Sequence, residues 1–506
     1  MPLLTTIISA IIGLILFAAF LFYLWFQYKF SYWSKRGVSG PKPVFPFGHM
    51  EDVIKRKVQF FQPYCDSYFK FKHLPYVGMY SFQQPVLSIN DPEIAKLVLI
   101  KHFDHFDAHG IFSEGKGNPI AGHLFNMHGK TWKNLRAKMS PTFTSGKLKT
   151  MYPLVNNVAS QALDYANLLH SNGESINFSE LYERYAMEII GSVGFGVECN
   201  GFKNPDSEFF RRGNEYFEPT LAFIMPKFFN ILNISRISPD MVNFFYTLVK
   251  ETVDYRQKNN YKRNDFLQTL IELRNGQVVD EKDGSGVDIP TKPHGVLLIP
   301  NTMLYMFAGY ETSATTGQYA AYRLALNPEL QVKAREEINK VLNKHGGEFT
   351  YEAQNEMTYI NMILDETMRM HPPLRTLFRR CTKDFNLPNS NLTIESGTLV
   401  FIPIQAIHMD PEIFPEPEKF DPERFSPDRK ANLHPCHWMP FGEGPRKCLG
   451  IRQGYIQSKL GLVKMLQKYE FLLDERSPVP IRVKPSSMAC GADGAVWLKL
   501  KEVDCA

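Results

Sequence analysis

The residues best placed to do chemistry lie in one stretch, Phe441-Gly442-Glu443-Gly444-Pro445-Arg446-Lys447-Cys448-Leu449-Gly450. A single cysteine sits among three glycines and is followed at once by an apolar, helix-like run to Leu466. Such a turn presents one thiolate to a metal on its open side. Gly442 and Gly444 would let the backbone pass close to a flat ligand, where a Cβ would clash. At the start of a helix, free N–H groups and the dipole favour negative sulfur. A thiolate held in this way can be the axial ligand of haem iron, where it pushes electron density towards O–O cleavage. The alternative is a buried structural cysteine beside a glycine turn. The joint placement of Phe441, Gly444, Arg446 and Gly450 around the thiol favours the ligand.

Three further constellations stand upstream. In a long apolar run opened by Pro300 and reaching about Leu326 lies Ala308-Gly309-Tyr310-Glu311-Thr312. Proline at an early position and the apolar content predict a helix. Ala308 and Gly309 leave room beside it, and Thr312 can bend a hydrogen bond away from the backbone to open a groove. A Glu311 carboxylate next to the Thr312 hydroxyl could then pass protons; a kinked helix with a solvated glutamate is the other reading. Glu366 and Arg369 stand at i and i+3 on one predicted helix, which on a surface would contribute little. Trp132 and Arg136, at i and i+4, share a helix face and read by themselves as an amphipathic surface pair.

In this order, these motifs resemble the cytochrome P-450 family. The loop pattern Phe-x-x-Gly-x-Arg-x-Cys-x-Gly is matched at Phe441, Gly444, Arg446, Cys448 and Gly450. The Ala/Gly-Gly-x-Asp/Glu-Thr pattern is matched from Ala308 to Thr312, and Glu-x-x-Arg at Glu366 and Arg369 is followed by Pro422-Glu423-Arg424-Phe425. The resemblance runs from the amino-terminal segment to the tail, and Ser140 to Lys147 is similar to the animal detoxification group, insect members in particular. It implies a mainly α fold with small β-sheets, haem b as cofactor, and Cys448 as the iron's axial ligand. The cofactor-binding set it implies is Arg446, Trp132, Arg136, Phe441, Gly442, Gly450 and Ala308, with Trp132 and Arg136 reaching a propionate. Arg375, Arg379 and Arg380 are candidates for a further propionate contact. It implies Thr312 and Glu311 as catalytic residues and a buried charge triad of Glu366, Arg369 and Arg424. Leu374 to Phe378, and Met488 and Ala489 in the tail, are expected beside substrate. His408-Met409-Asp410-Pro411 departs from the family's His-Arg-Asp/Asn-Pro, and His49 stands where Asn is usual; neither departure is expected to matter to the chemistry.

The elements that must position these residues begin with Leu3 to Phe26, apolar, uncharged and long enough to cross a bilayer as a helix. A cleaved signal peptide usually has a shorter apolar region behind a positive start. The basic residues here come afterwards, at Lys29, Lys35, Arg36 and Lys42, so that end stays cytoplasmic. We therefore expect an anchor over residues 1–28, a basic and proline-rich hinge over 29–50 and a catalytic domain over 51–506. A single-pass protein of the endoplasmic reticulum, with a cytosolic catalytic domain, would leave the sequons at Asn177, Asn233 and Asn391 unglycosylated. Tyr76 to Ile89 reads as two strands around Ser81–Pro85, and Asp91-Pro92-Glu93 caps a helix to about Lys101. Glu183 to Val193 reads as a helix. The aromatics between Glu208 and Tyr246 fit either core or a pocket lid, and Gly110 to Phe125 and Asn275 to His294 read as loops.

Composition narrows the partners. A charge of +5 on 506 residues argues against a nucleic-acid binder but allows a local basic face. Seven scattered cysteines without Cys-x-x-Cys form neither a disulfide framework nor a zinc site. Lys130, Lys133, Lys138, Arg446, Lys447, Arg452 and Lys459 flank the two haem-binding segments, and the family layout puts them on one face, suited to an acidic electron donor. The chain has no Gly-x-Gly-x-x-Gly after a strand and no flavin domain. NADPH–cytochrome P-450 reductase, with cytochrome b5 as a second donor, is the implied partner, alongside O2 and an apolar small molecule, either a foreign compound such as a plant toxin or insecticide or an endogenous lipid or hormone. An isomerase or dehydratase using no external electrons, and a non-enzymatic haem sensor, are the competing readings; Thr312 and the basic face speak against the first, the full proton-delivery set against the second.

Overall fold

With no proline or charge between Leu3 and Tyr28, nothing stops a helix, and Pro2–Phe30 forms one. The structure, a computed structural model, describes residues 2–111, 122–204, 206–217, 238–274 and 298–503. Among these residues this is the one helix long and apolar enough to span a membrane, and its most apolar window is wholly exposed. Phe26 is its first buried side chain, edge-on to Phe45 at 5.1 Å.

The segment after it is bound to the Tyr76–Ser81 strand. Trp33, buried, donates its indole N–H to the Met79 carbonyl (2.8 Å), and the Tyr80 hydroxyl donates to the Phe30 carbonyl (2.7 Å). His49 closes the arrangement. Its Nδ1 accepts the Tyr80 N–H (2.9 Å), so Nε2 carries the proton and donates to the Pro41 carbonyl (3.1 Å). Burial lowers its pKa, which keeps that ring neutral. The substitution of His for Asn at this position thus has a structural consequence: its ring pins the proline-rich segment to the sheet.

That sheet has four strands, in spatial order Tyr76–Ser81, Gln84–Ile89, Leu399–Ile402 and Leu377–Arg380. The predicted pair is antiparallel, Gln84–Ile89 runs parallel to Leu399–Ile402, and Leu377–Arg380 returns antiparallel. Asp91 caps the following helix by accepting the N–H groups of Glu93 (2.6 Å) and Ile94 (3.3 Å). The rest is mainly helical. Phe178–Ile189 continues through a widened turn to Gly196 and lies along Glu311–Ala325. Leu298–Gly309 and Glu311–Ala325 form the predicted long helix, interrupted at Tyr310. Thr358–Met370 ends before His371-Pro372-Pro373, and Ile451–Lys468 follows the cysteine loop. These last helices share one large apolar core, with a second core behind the four-stranded sheet.

Candidate active site

A cavity of about 620 Å³ lies between the interrupted helix and the cysteine loop. The loop is built by turns: Cys448 N–H donates to the Phe441 carbonyl (2.9 Å), Lys447 N–H to that of Gly444 (2.9 Å), and Gly442 N–H to that of Met439 (3.0 Å). Six cysteines are described; five are buried, and Cys448 alone is exposed, on the cavity it lines. Burial raises its thiol pKa, opposed by the Gly450 N–H and by Arg136. The helix proper starts at Ile451, so the dipole alone does not ionise this sulfur; a coordinated cation would.

The two loop glycines have different tasks. Gly442 (φ +71°) lines the cavity, and a Cβ there would have only Leu377 Cδ2 (3.7 Å) as a neighbour. It keeps space open for a ligand, as expected. Gly444 (φ +75°) does not face the cavity; a Cβ would lie 1.9 Å from the Leu99 carbonyl oxygen. The expectation that it approaches the ligand is corrected: it lets the loop close on the Leu97–Lys101 turn. Gly444→Ala is expected to lower the urea-unfolding free energy by at least the ~1–3 kcal/mol of backbone strain. Gly442→Ala should reduce cofactor content proportionally more than stability.

Three arginines line the cavity: Arg136, Arg379 and Arg446. None forms an ion pair with a carboxylate among the described residues. Arg446 donates Nε to the Asp107 carbonyl (2.6 Å) and a terminal nitrogen to that of Met127, and lies 4.4 Å from the centre of the Trp132 ring. Burial lowers its pKa to about 9. Arg136 donates to the Lys447 carbonyl (2.5 Å) and lies 5.8 Å from the same ring. Arg379 is buried and, among the described residues, donates only to the Phe378 carbonyl (2.8 Å) and leaves Nε without a partner. Burial lowers its pKa to about 10. The structure separates the three sequence candidates. Arg375 is engaged by Gln405 and Gln62, Arg380 donates to the Gly110 carbonyl, and only Arg379 lines the cavity. A cavity lined by three arginines and by Lys447, with one guanidinium N–H left without a partner among the described residues, suits a ligand carrying carboxylates. Phe441, Gly450 and Trp132 line the same end.

At the helix interruption the Tyr310 N–H donates to Met306 (3.1 Å) and the Ala314 N–H to Tyr310 (3.0 Å). Between them the Thr312 hydroxyl donates to the Ala308 carbonyl (2.5 Å), so the side chain serves a backbone acceptor at the break. Ala308, Glu311 and Thr312 all line the cavity. Glu311, however, does not meet Thr312. Its carboxylate accepts the Ser487 hydroxyl (2.7 Å) and the Ala489 N–H, on the carboxy-terminal hairpin. Burial raises its pKa, with those two bonds and Lys484 opposing.

Beyond the cavity wall, Arg369 grips Glu366 through two bonds (2.7 and 2.9 Å), both side chains fully buried, and Arg424 approaches the same carboxylate at 3.5 Å. Met409 places its sulfur 3.5 Å from the Arg369 guanidinium, so this departure from the family pattern touches the triad.

The remaining expectations divide. Pro373, Leu374, Leu377, Phe378, Met488 and Ala489 line the cavity. Of the lid aromatics, Phe209, Phe210 and Phe245 are buried in the core and do not line it; Phe223, Phe228 and Phe229 lie outside the described residues, as does much of Gly110 to Phe125 and of Asn275 to His294. The basic face is smaller than expected. Lys130, Lys133, Lys138 and Arg452 are exposed and Lys447 partly so, but Arg446 is buried. Lys459 is buried too, donating to the Gln354 carbonyl (2.6 Å), with its pKa lowered to about 8 by burial.

A mainly helical chain that presents one cysteine to an arginine-lined cavity has the arrangement a thiolate-ligated cofactor would require. The model of the cytochrome P450 family matches residues 38–497, and the chain belongs to that family. It is 38% identical over 494 residues to "Probable cytochrome P450 6a14" of Drosophila melanogaster, covering 94% of this chain and 96% of that one. It is 35% identical over 512 residues to "Cytochrome P450 6a2" of the same species (97% and 99%), and 36% over 495 residues to "Cytochrome P450 6k1" of Blattella germanica (94% of each). Membership implies a haem cofactor and monooxygenase activity with O2.

Proposed function

We propose that the protein is a membrane-anchored haem-thiolate monooxygenase that takes electrons from NADPH through a partner reductase and inserts one oxygen atom into apolar small molecules, foreign compounds foremost. The observation that carries this reading is the cavity itself: among the described residues Cys448 is its one exposed thiol, and Arg136, Arg379 and Arg446 line the same space without carboxylate partners. Cys448 would ligate iron, the three arginines would hold propionates, and Phe441, Gly442, Gly450, Trp132 and Ala308 would flank the ring. Haem bound here supplies O2 binding and the oxidising chemistry.

The chain's own residues do the rest. The Thr312 hydroxyl donates its hydrogen bond to the Ala308 carbonyl at the cavity wall, and its oxygen remains able to accept a proton in transit. Glu311, its pKa raised by enclosure, keeps its proton to higher pH than an ordinary carboxyl and is the local acid. Leu304, Phe307, Leu374 and Met488 make the substrate end apolar and exclude water. The exposed Lys130, Lys133, Lys138 and Arg452 offer an acidic reductase, or cytochrome b5, a basic landing face. The Pro2–Phe30 helix would anchor the protein in the endoplasmic reticulum membrane with the domain in the cytosol. The likeness of Ser140 to Lys147 to insect detoxification members supports foreign compounds as substrates.

The test is the absorption spectrum of reduced, carbon-monoxide-bound protein, wild type beside Cys448→Ala. A strongly red-shifted Soret band in wild type only is expected. A wild-type band at the position of histidine- or thiol-ligated haem, from folded protein, would remove the thiolate and the monooxygenase reading with it.

A further inference from the structure

Resting on that reading of Glu311 as the acid, the structure points to a residue that controls it. The hairpin turn between Arg482–Val483 and Ala492–Asp493 carries Ser487, Met488 and Ala489 in succession. Ser487 is buried, and its hydroxyl is used twice: it donates to Glu311 Oε1 (2.7 Å) and accepts the Gly491 N–H (2.7 Å). Its carbonyl accepts the side-chain amide of Gln59 (3.3 Å). The turn is also tied to the Glu311 helix, since the Tyr319 hydroxyl donates to the Cys490 carbonyl (2.9 Å), with Cys490 at φ +58°. Between Ser487 and Cys490 stand the two hairpin residues that line the cavity, Met488 and Ala489. Among the described residues no hydrogen bond joins Glu311 to Thr312.

We propose that Ser487 is a positioning residue for Glu311, holding the carboxylate on the hairpin and apart from Thr312 until a substrate pressing on Met488 and Ala489 displaces the turn and frees it. Substrate contact and the hold on the acid belong to one three-residue segment, so filling the cavity and releasing the acid become one event. Protons would then reach the site when there is something to oxidise.

The charged and titratable groups around Glu311 are Lys484 and Cys490 on the hairpin, Glu183 on the Phe178–Ile189 helix and Tyr310 beside it. Lys484 favours the ionised carboxyl and Glu183 opposes it; neither hydrogen-bonds to it, whereas Ser487 does.

The experiment is infrared pH titration of the Glu311 carboxyl in the full-length, haem-loaded protein. The band is assigned by its loss in Glu311→Gln, and the titration is run with and without a phenyl-substituted imidazole filling the cavity. Ser487→Ala is expected to raise the midpoint by about one unit, tenfold in proton affinity, because it removes a bond to the ionised form; Ser487→Thr should restore it. In wild type the imidazole should produce an upward shift at least as large, because moving the turn also breaks the Ala489 N–H bond, and in Ser487→Ala only the smaller shift owed to that remaining bond. Met488→Ala, which leaves Ser487 in place, should keep the ligand-free midpoint and lose the ligand-dependent shift. Equal midpoints in wild type and a folded Ser487→Ala, or a ligand shift as large in that variant as in wild type, would overturn the proposal. The titration reads Glu311 without turnover. A protein with the expected shifts but no NADPH-dependent oxidation would therefore overturn the monooxygenase reading alone, and an active protein with unmoved midpoints would overturn the hold alone.

Discussion

Glu366→Ala is expected to yield protein without haem, less stable than wild type by about 3–5 kcal/mol, the usual cost of leaving one partner of a buried ion pair alone. Arg369 is wholly buried and would lose both of its bonds to Glu366. What remains to it are the carbonyls of His408 (2.9 Å), Pro417 (2.7 Å) and Lys419 (3.4 Å) and the Met409 sulfur (3.5 Å), which bind a guanidinium but do not neutralise it. The route from there to the cysteine loop is short. His408 Nε2 accepts the Met439 N–H (3.0 Å), and the Met439 carbonyl accepts the Gly442 N–H (3.0 Å). Glu366 also accepts the Asp421 N–H (2.9 Å), fixing the segment that brings Arg424 in. Loss of the carboxylate thus loosens the backing of the loop that presents Cys448. Glu423→Ala is the control: Glu423 pairs with Lys333, both about half exposed, and its removal should change stability by less than about 1 kcal/mol. Haem per protein and urea unfolding of both variants check this. Normal haem content in Glu366→Ala would remove the structural role given to the triad.

The parts of the site that could be read in the sequence are those whose chemistry is local. The cysteine loop is ten consecutive residues, and its turns are set by its own glycines. The Thr312 bond to Ala308 spans one helical turn, and Glu366 reaches Arg369 across i,i+3. The strand pair at Tyr76–Ile89 and the Asp91 cap are of the same kind. What could not be read depends on distant partners. Arg375, Arg379 and Arg380 are indistinguishable in the sequence, and only the register of Leu377–Arg380 against Leu399–Ile402 and the packing around it leave Arg379 on the cavity. Adjacency suggested that Glu311 faces Thr312, but neighbouring side chains on a helix point about 100° apart. Its partner Ser487 lies 176 residues away. Lys459 reads as a surface cation because lysine is rarely buried; its burial rests on carbonyls at Gln354 and Met357. A surface likeness in Gly444 to a cofactor-facing glycine concealed a packing role against Leu99.

Thr312→Val is expected to cut product formation by about 10²-fold or more, the scale of a lost proton-transfer group, while NADPH oxidation continues and the reduced oxygen leaves as hydrogen peroxide. Valine has nearly the shape of threonine but cannot donate to the Ala308 carbonyl or relay a proton, so substrate binding and the carbon-monoxide band should stay as in wild type. Thr312→Ser keeps the hydroxyl and should recover most of the product yield. The pH dependence separates the two residues of the pair. Enclosure raises the Glu311 pKa, and an acid works only while protonated, so product formation should be full below that pKa and fall as pH rises through it. Glu311→Gln carries no titrating proton and should be slow at every pH, with that limb absent, whereas Thr312→Ser should be active with the limb unchanged. Product, NADPH and peroxide measured together across pH decide the matter: a Thr312→Val protein that still couples NADPH to product as wild type does would leave the hydroxyl a purely structural bond at the helix break.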